Sequence, residues 1–286
     1  MRIHHYVLTA TMLACAATGF EARAGTVSPI QSDATPLGLS PLADVQLAGS
    51  DGEAMDFYKN DLPDLQTTVN TTLNETQAVE NLSSLALDPN DLYLTEASDV
   101  RVYFIGEGAG YRNTLGIYTG DSSEALTGDA GLIFPDASTS NSYLSPATDD
   151  TRTESAPLAS GDFVDLGTFE AGTQLNLFLI ANGANGGSNT YYTDSALNAD
   201  GIEHFVVLAT ADSPYLLIGV EDLYGGGDQD YNDVVIALDI GKTNVKQLIS
   251  KVVPIPGYLA LLLGPIGLWF ARRRNNTPNS RECQSC

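Results

Sequence analysis

Between Val100 and Ile240 the chain breaks into eight short runs of aliphatic, β-branched and aromatic residues: Val100–Ile105, Leu115–Tyr118, Leu132–Phe134, Phe163–Phe169, Gln174–Ile180, Glu203–Ala209, Tyr215–Val220 and Val234–Ile240. Gly, Asn, Asp and Ser punctuate them, and no long helical pattern intervenes. Strand after strand at short spacing predicts an all-β fold, an antiparallel β-sandwich of jelly-roll-like type. The Ser/Thr/Asp-rich stretch Gly120–Gly161 reads as long loops around one of these strands. Tyr103, Phe104, Phe178 and Phe205 read as core residues.

The rest of the chain is organised differently. Residues 1–24 read as a signal peptide: Arg2 opens it, Tyr6–Thr18 is mostly apolar, and Ala22-Arg23-Ala24 has the small-x-small form of a cleavage site. Met12-Leu13-Ala14-Cys15 loosely resembles a lipobox, an alternative export route. Residues 25–91 form a low-complexity, partly helical N-terminal segment. Its part through Gly49 reads as linker, and Leu62, Leu65, Val69 and Leu73 then fall on one helical face. The β-rich domain is placed at 92–241 and a second linker at 242–251. Residues 252–274 carry an uncharged stretch of twenty residues, Val252–Ala271, closed by Arg272, Arg273 and Arg274. As a helix it would be roughly 30 Å long, enough to cross a hydrocarbon core. The arginines favour a cytoplasmic side for the tail of residues 275–286.

Charge narrows the partners. Residues 25–250 hold 34 carboxylates and six cations, a formal −28 within a chain of −23. Such a surface is repelled by phosphate, so nucleic acid is not an expected partner. The cysteines are Cys15, Cys283 and Cys286, which leaves the central region without a disulfide. The Cys283–Cys286 spacing has no second pair to make a zinc site.

The densest chemistry lies in YLLIGVEDLYGGGDQDYNDVVIALD, Tyr215–Asp239. Two strand-like runs flank a loop holding Glu221, Asp222, Asp228, Asp230, Asn232 and Asp233, with Gly225, Gly226 and Gly227 among them. The loop contains five carboxylates and no basic residue, and a hard cation relieves their repulsion. Calcium is the expected ion, because it takes six to eight oxygens from carboxylates, amides and backbone carbonyls. Glycine allows the positive φ that turns carbonyls inward. An EF-hand does not fit: the sharp-turn glycine position is Asp233, and Val234–Leu238 is strand-like. Zinc lacks its Cys and His ligands. Asn198, Asp200, Glu203 and His204, with Gly201, form a second oxygen-bearing cluster that could complete the site from an adjacent loop. A solvated acidic turn without an ion is the plain alternative.

Two resemblances follow from these residues. Glu221-Asp222-Leu223 and Asp228-Gln229-Asp230-Tyr231-Asn232-Asp233-Val234-Val235, with Asn198–His204 and Gly106–Tyr118 upstream, resemble the domain of unknown function 4114 family over roughly residues 92–240. That implies a β-rich, calcium-dependent secreted or surface domain with no established catalytic activity. Val253-Pro254-Ile255-Pro256, the apolar stretch and the arginines resemble the PEP-CTERM sorting signal of exported bacterial proteins, which an exosortase processes. Ile255 stands where that family most often has Glu, and twelve residues continue past Arg274.

The expected protein is therefore exported, anchored in the inner membrane by its C-terminal helix or sorted to the surface. Its calcium-binding domain would be structural or adhesive, with extracellular polysaccharide as a partner. A calcium-dependent lectin is the alternative. A glycoside hydrolase fits less well, because its two carboxylates would face a sugar cleft whereas these crowd one loop. No catalytic residues are assigned.

Overall fold

The computed structural model describes residues 27–73, 77–79, 86–121, 125–126, 130–140, 152–210 and 212–252. The expected signal peptide, the tail from residue 253, Cys283 and Cys286 lie outside these residues. Among the described residues no helix is long and apolar enough to cross a membrane.

Among the described residues, ten strands build two antiparallel sheets: β1 (Ala86–Leu87), β2 (Ser98–Gly106), β3 (Thr114–Thr119), β4 (Gly131–Phe134), β5 (Phe163–Phe169), β6 (Leu175–Ile180), β7 (Thr190–Tyr192), β8 (Phe205–Ala209), β9 (Tyr215–Val220) and β10 (Val234–Asp239). The larger sheet has the order β1-β8-β9-β10-β2-β5 and the smaller β4-β3-β6-β7. All eight expected runs are strands, with ends within two residues of those read from the sequence. β1 and β7 are additional.

Side chains alternate across each strand. Val100, Val102 and Phe104 of β2, Leu216, Ile218 and Val220 of β9, and Val234, Ile236 and Leu238 of β10 enter the core between the sheets. Leu115, Ile117, Leu175, Leu177 and Leu179 meet them from the smaller sheet. The opposite faces are covered too, which is why these strands read as continuous apolar runs rather than as apolar and polar in turn. Tyr118, Leu132, Phe178 and Ile180 cluster on the outer side of the smaller sheet, with Leu39 packed against them.

On the outer side of the larger sheet, helices α1 (Gly52–Asp56) and α2 (Leu62–Thr72), joined by a π-helical turn over Phe57–Asp61, lay Ala54, Phe57, Leu62, Val69 and Leu73 against Tyr103, Phe163, Tyr215, Leu217 and Val235. Phe57 stacks on Tyr103 with ring centroids 3.8 Å apart. Asp51 caps α1 by accepting from the Ala54 N–H. The same carboxylate lies 3.0 Å from the buried guanidinium of Arg101, which also meets Asp165 at 3.0 Å and sits 4.3 Å over the Phe163 ring. One cation of β2 thus ties the helix to the sheet. In α2, Thr67, Thr68 and Thr71 bond back to carbonyls one turn earlier. The poor helix propensity of these residues is overridden by burial of the apolar face.

Two stretches read as linkers are built into the fold. Before Gly49, Val27 bridges Gln46, Gln46 bridges Phe163 and Pro41 bridges Leu132, while Val45 is buried in the core. Residues 242–251 belong to helix α3 (Lys242–Val252), with Val245 and Leu248 buried. Its apolar spacing of three is visible in the sequence but lies among lysines. The stretch 92–241 is accordingly not covered on its own, because α1, α2 and the segment before them close both outer faces.

Candidate metal centre

The loop of residues 221–233 joins β9 to β10 above the closing pair Val220 and Val234. Its backbone is unusual. Gly225, Gly226 and Gly227 have φ of 83°, 81° and 45°, and the non-glycine residues Gln229 and Tyr231 also lie in the left-handed region at 61° and 55°. A side-chain-bearing residue there costs roughly 1–2 kcal/mol, so neighbours must hold it. The Gln229 carbonyl accepts from the Val79 N–H at 3.0 Å. Tyr231 is buried in the cluster beneath α2, and its hydroxyl donates to the Glu203 carbonyl at 3.3 Å. Strain fixed this firmly is a feature of functional loops.

All six residues singled out from the sequence line one open cleft of about 620 Å³, together with Gly108, Ala109, Gly110, Tyr111, Leu223 and Gly227. Glu221, Asp222, Asp230 and Asn232 are buried, Asp233 is half-buried and Asp228 is exposed. The side-chain amide of Asn232 donates to the carbonyl of Leu73 at the end of α2, so Oδ1 is the atom it could offer an ion. Asp233 accepts from the Asp222 N–H at 2.7 Å, and Asp222 accepts from Asn113 Nδ2 at 2.7 Å. Glu221 is 1% exposed, and its Oε2 has no hydrogen-bond partner.

An acceptor-only group in that position is costly unless something positive reaches it. The electrostatics agree. Burial pushes the Glu221 carboxyl up to about 7, against a hydrogen bond with Asp233 that lowers it, and the charges of Asp228, Asp230 and Asp222 add to the rise. Asp233 is pushed up to about 9, first by burial and then by the charge of Asp222. Burial also raises Asp222, against the bond from Asn113. Burial and mutual repulsion thus favour the protonated forms of these acids, and a cation would favour the ionised ones.

The donor set fits a hard divalent ion. Carboxylate oxygens of Glu221, Asp228 and Asp230 lie within 4.8 Å of one another, as do those of Glu221, Asp222 and Asp233. A β-carbon placed on Gly227 would fall 2.0 Å from Glu221 Oε1, so the loop backbone closes directly over that carboxylate. Calcium binds such oxygens at 2.3–2.6 Å.

The second cluster is brought close but is used otherwise. Asn198 Oδ1 accepts from the Tyr192 N–H and its amide donates to the carbonyls of Tyr192 and Ile202, so it pins its own loop. Asp200 accepts from the Gly225 N–H at 2.8 Å and from His204 Nε2 at 3.1 Å. His204, fully buried and stacked on Tyr191 at 3.7 Å, meets the Glu221 carbonyl through Nδ1 at 2.8 Å. These residues brace the acidic loop and are not grouped with its carboxylates. The segment before β3 was missed as part of the site. Gly108 donates to the Asn232 carbonyl at 2.9 Å, and Asn113 holds both Asp222 and the Asn182 N–H. The Gly-rich run GEGAGYRN was its only sign in the sequence.

No curated protein and no solved structure matches the chain. Residues 169–241, from the last residue of β5 to the residue before α3, match the family described as Domain of unknown function (DUF4114), a span that holds the whole acidic loop and begins well after the residue 92 expected.

Proposed function

We propose that this chain is an exported surface protein whose sandwich binds calcium through Glu221, Asp222, Asp228, Asp230, Asn232 and Asp233, and serves as a rigid structural or adhesive module in the extracellular matrix. The observation that carries this is Glu221: a buried carboxylate with an unpartnered oxygen, in a cleft lined by four more acids. Bound calcium would supply the positive charge that the loop lacks. Loss of its ligand protons would accompany binding. Outside the cell, calcium is abundant enough to fill sites of only modest affinity, and an ion held by the folded state alone stabilises that state.

The export half of the proposal rests on the signal-like residues 1–24 and the PEP-CTERM-like segment 252–274, with an exosortase-type enzyme as processing partner and the membrane as anchor. The chain's repeated passage between sheets, at β2–β3, β4–β5, β5–β6 and β7–β8, is the basis for describing the sandwich as jelly-roll-like. We read the domain as non-enzymatic.

One observation favours the lectin reading as a second choice. Tyr111 and Leu223 are exposed at the rim of the acidic cleft, and a neighbouring cleft of about 430 Å³ that shares them adds the exposed Tyr224 together with Asn182 and Asn189. Glycan binding that disappears with chelator would select it.

Calorimetry of the full chain in detergent, with calcium and with chelator, tests the ion. The melting temperature rises with calcium, and the rise is absent in the Asp230→Ala, Asp233→Ala double variant. An unchanged melting temperature in the native sequence overturns the proposal.

A further inference from the structure

We infer that the loop holds two calcium ions, not one, with Glu221 shared between them; the inference rests on the calcium reading above. The ligand oxygens fall into two sets, Glu221 with Asp228 and Asp230, and Glu221 with Asp222 and Asp233. Each set is mutually within 4.8 Å, and the sets meet only in Glu221. Oxygens at 2.3–2.6 Å from one calcium ion lie at most about 5 Å apart across its shell. One shell therefore accommodates either set, and the two sets together call for two shells.

Glu221 is suited to the shared role. It is buried at the centre of the cleft, Oε2 has no hydrogen-bond partner, and Oε1 lies beneath the Gly227 backbone. A carboxylate has two oxygens, and each can serve a different ion. Charge points the same way. Five carboxylates and one divalent ion leave three negative charges in a cleft where Glu221, Asp222 and Asp230 are buried. A second ion leaves one.

The two sets differ in access. Asp228 is exposed on the glycine bend, so its set has one member open to solvent, whereas the other set has none fully exposed. Asp222 lies under the Asn113 amide, and Asp233 is tied to the Asp222 backbone. The outer ion exchanges first, and the inner one is retained longer.

The test is calcium content per chain, by native mass spectrometry and by elemental analysis after equilibrium dialysis against saturating calcium, on the full chain in detergent. Two ions are expected, falling to one in Asp228→Asn and one in Asp222→Asn, and to none in Glu221→Gln. One ion in the native chain overturns the two-ion inference and leaves the calcium reading standing; none overturns both. Two ions that persist in Glu221→Gln would lie elsewhere and also overturn it. The native count decides without any variant having to fold.

Discussion

Gly227 offers a test of the loop's geometry with a built-in control. Its φ is 45°, and a β-carbon there would stand 2.0 Å from Glu221 Oε1 and 2.8 Å from its Cδ. Gly225, two residues earlier, has φ of 83° and nothing within 4 Å of an added β-carbon. Replacing either by alanine imposes the left-handed cost of a side chain, roughly 1–2 kcal/mol. Only Gly227→Ala also drives the carboxylate aside, by about 1.4 Å or more, to restore an ordinary contact. Misplacing a group that orients or supplies a metal ligand typically costs 10–100-fold in affinity, or about 1.4–2.7 kcal/mol. The assay is the melting temperature of native, Gly225→Ala and Gly227→Ala chains across a calcium titration. In chelator both variants melt a few degrees below the native chain, at roughly 2–4 °C per kcal/mol for a protein of this size. With added calcium Gly225→Ala recovers at native concentrations, whereas Gly227→Ala needs 10–100 times more. Superimposable calcium midpoints for the two variants would refute the placement of Glu221 at the ion.

In chelator, stability falls as pH rises. Glu221 and Asp233, raised to about 7 and about 9, keep protons in the folded chain that the unfolded chain releases near pH 4. Folding is then opposed progressively between about pH 4 and pH 9, as Glu221 and Asp233 are forced to ionise together. Calcium displaces those protons, so melting curves from pH 5 to 9 with saturating calcium show a flatter or reversed slope; equal slopes with and without the ion would contradict the shared site. Phe57→Ala removes a fully buried ring stacked on Tyr103 and set edge-on to Tyr215 at 5.1 Å. A loss of about 3–5 kcal/mol in denaturant unfolding is expected. Calcium stoichiometry should be unchanged, since Phe57 does not line the acidic cleft.

The strands were legible because the sandwich is covered on four faces. Residues such as Tyr103 and Phe104 of β2 point to opposite sides, yet both are buried, so the apolar run is unbroken and its length alone marks a strand. β1 and β7, two and three residues long, carry too few side chains for any period. The segment before Gly49 escaped for a different reason. It joins the fold through single bridges at Val27, Pro41 and Gln46 and through scattered side chains such as Leu39 and Val45, which together make no regular period. That the six oxygen-bearing residues share one cleft was legible, because one loop contains them all. The role of Asn198 was not, since a short polar side chain beside free backbone donors and carbonyls is readily taken up by them, as its bonds to Tyr192 and Ile202 show. Asn113 could be identified only after folding, which brings it to Asp222 across 109 residues.

The placement of the loop explains how such a cluster of acids can be held together at all. Below it, β9 and β10 pair through Val220 and Val234 with full register, so the two ends cannot separate. On one side His204, stacked on Tyr191, meets the Glu221 carbonyl, and Asp200 holds the Gly225 N–H. On the other, Asn232 is bonded to the end of α2 and to Gly108, while Tyr231 is sunk in the outer core. None of these contacts uses the carboxylate oxygens of Glu221 or Asp228, and Asp233 gives one oxygen to the Asp222 N–H. The hydrophobic sandwich and its helical cover thus supply the energy that keeps left-handed residues and mutually repelling acids in place, and the carboxylates are left to respond to the medium. A loop restrained by the fold through its backbone and its neutral side chains loses little further conformational freedom when an ion enters, so most of the ion's interaction with the carboxylates becomes stability of the whole sandwich.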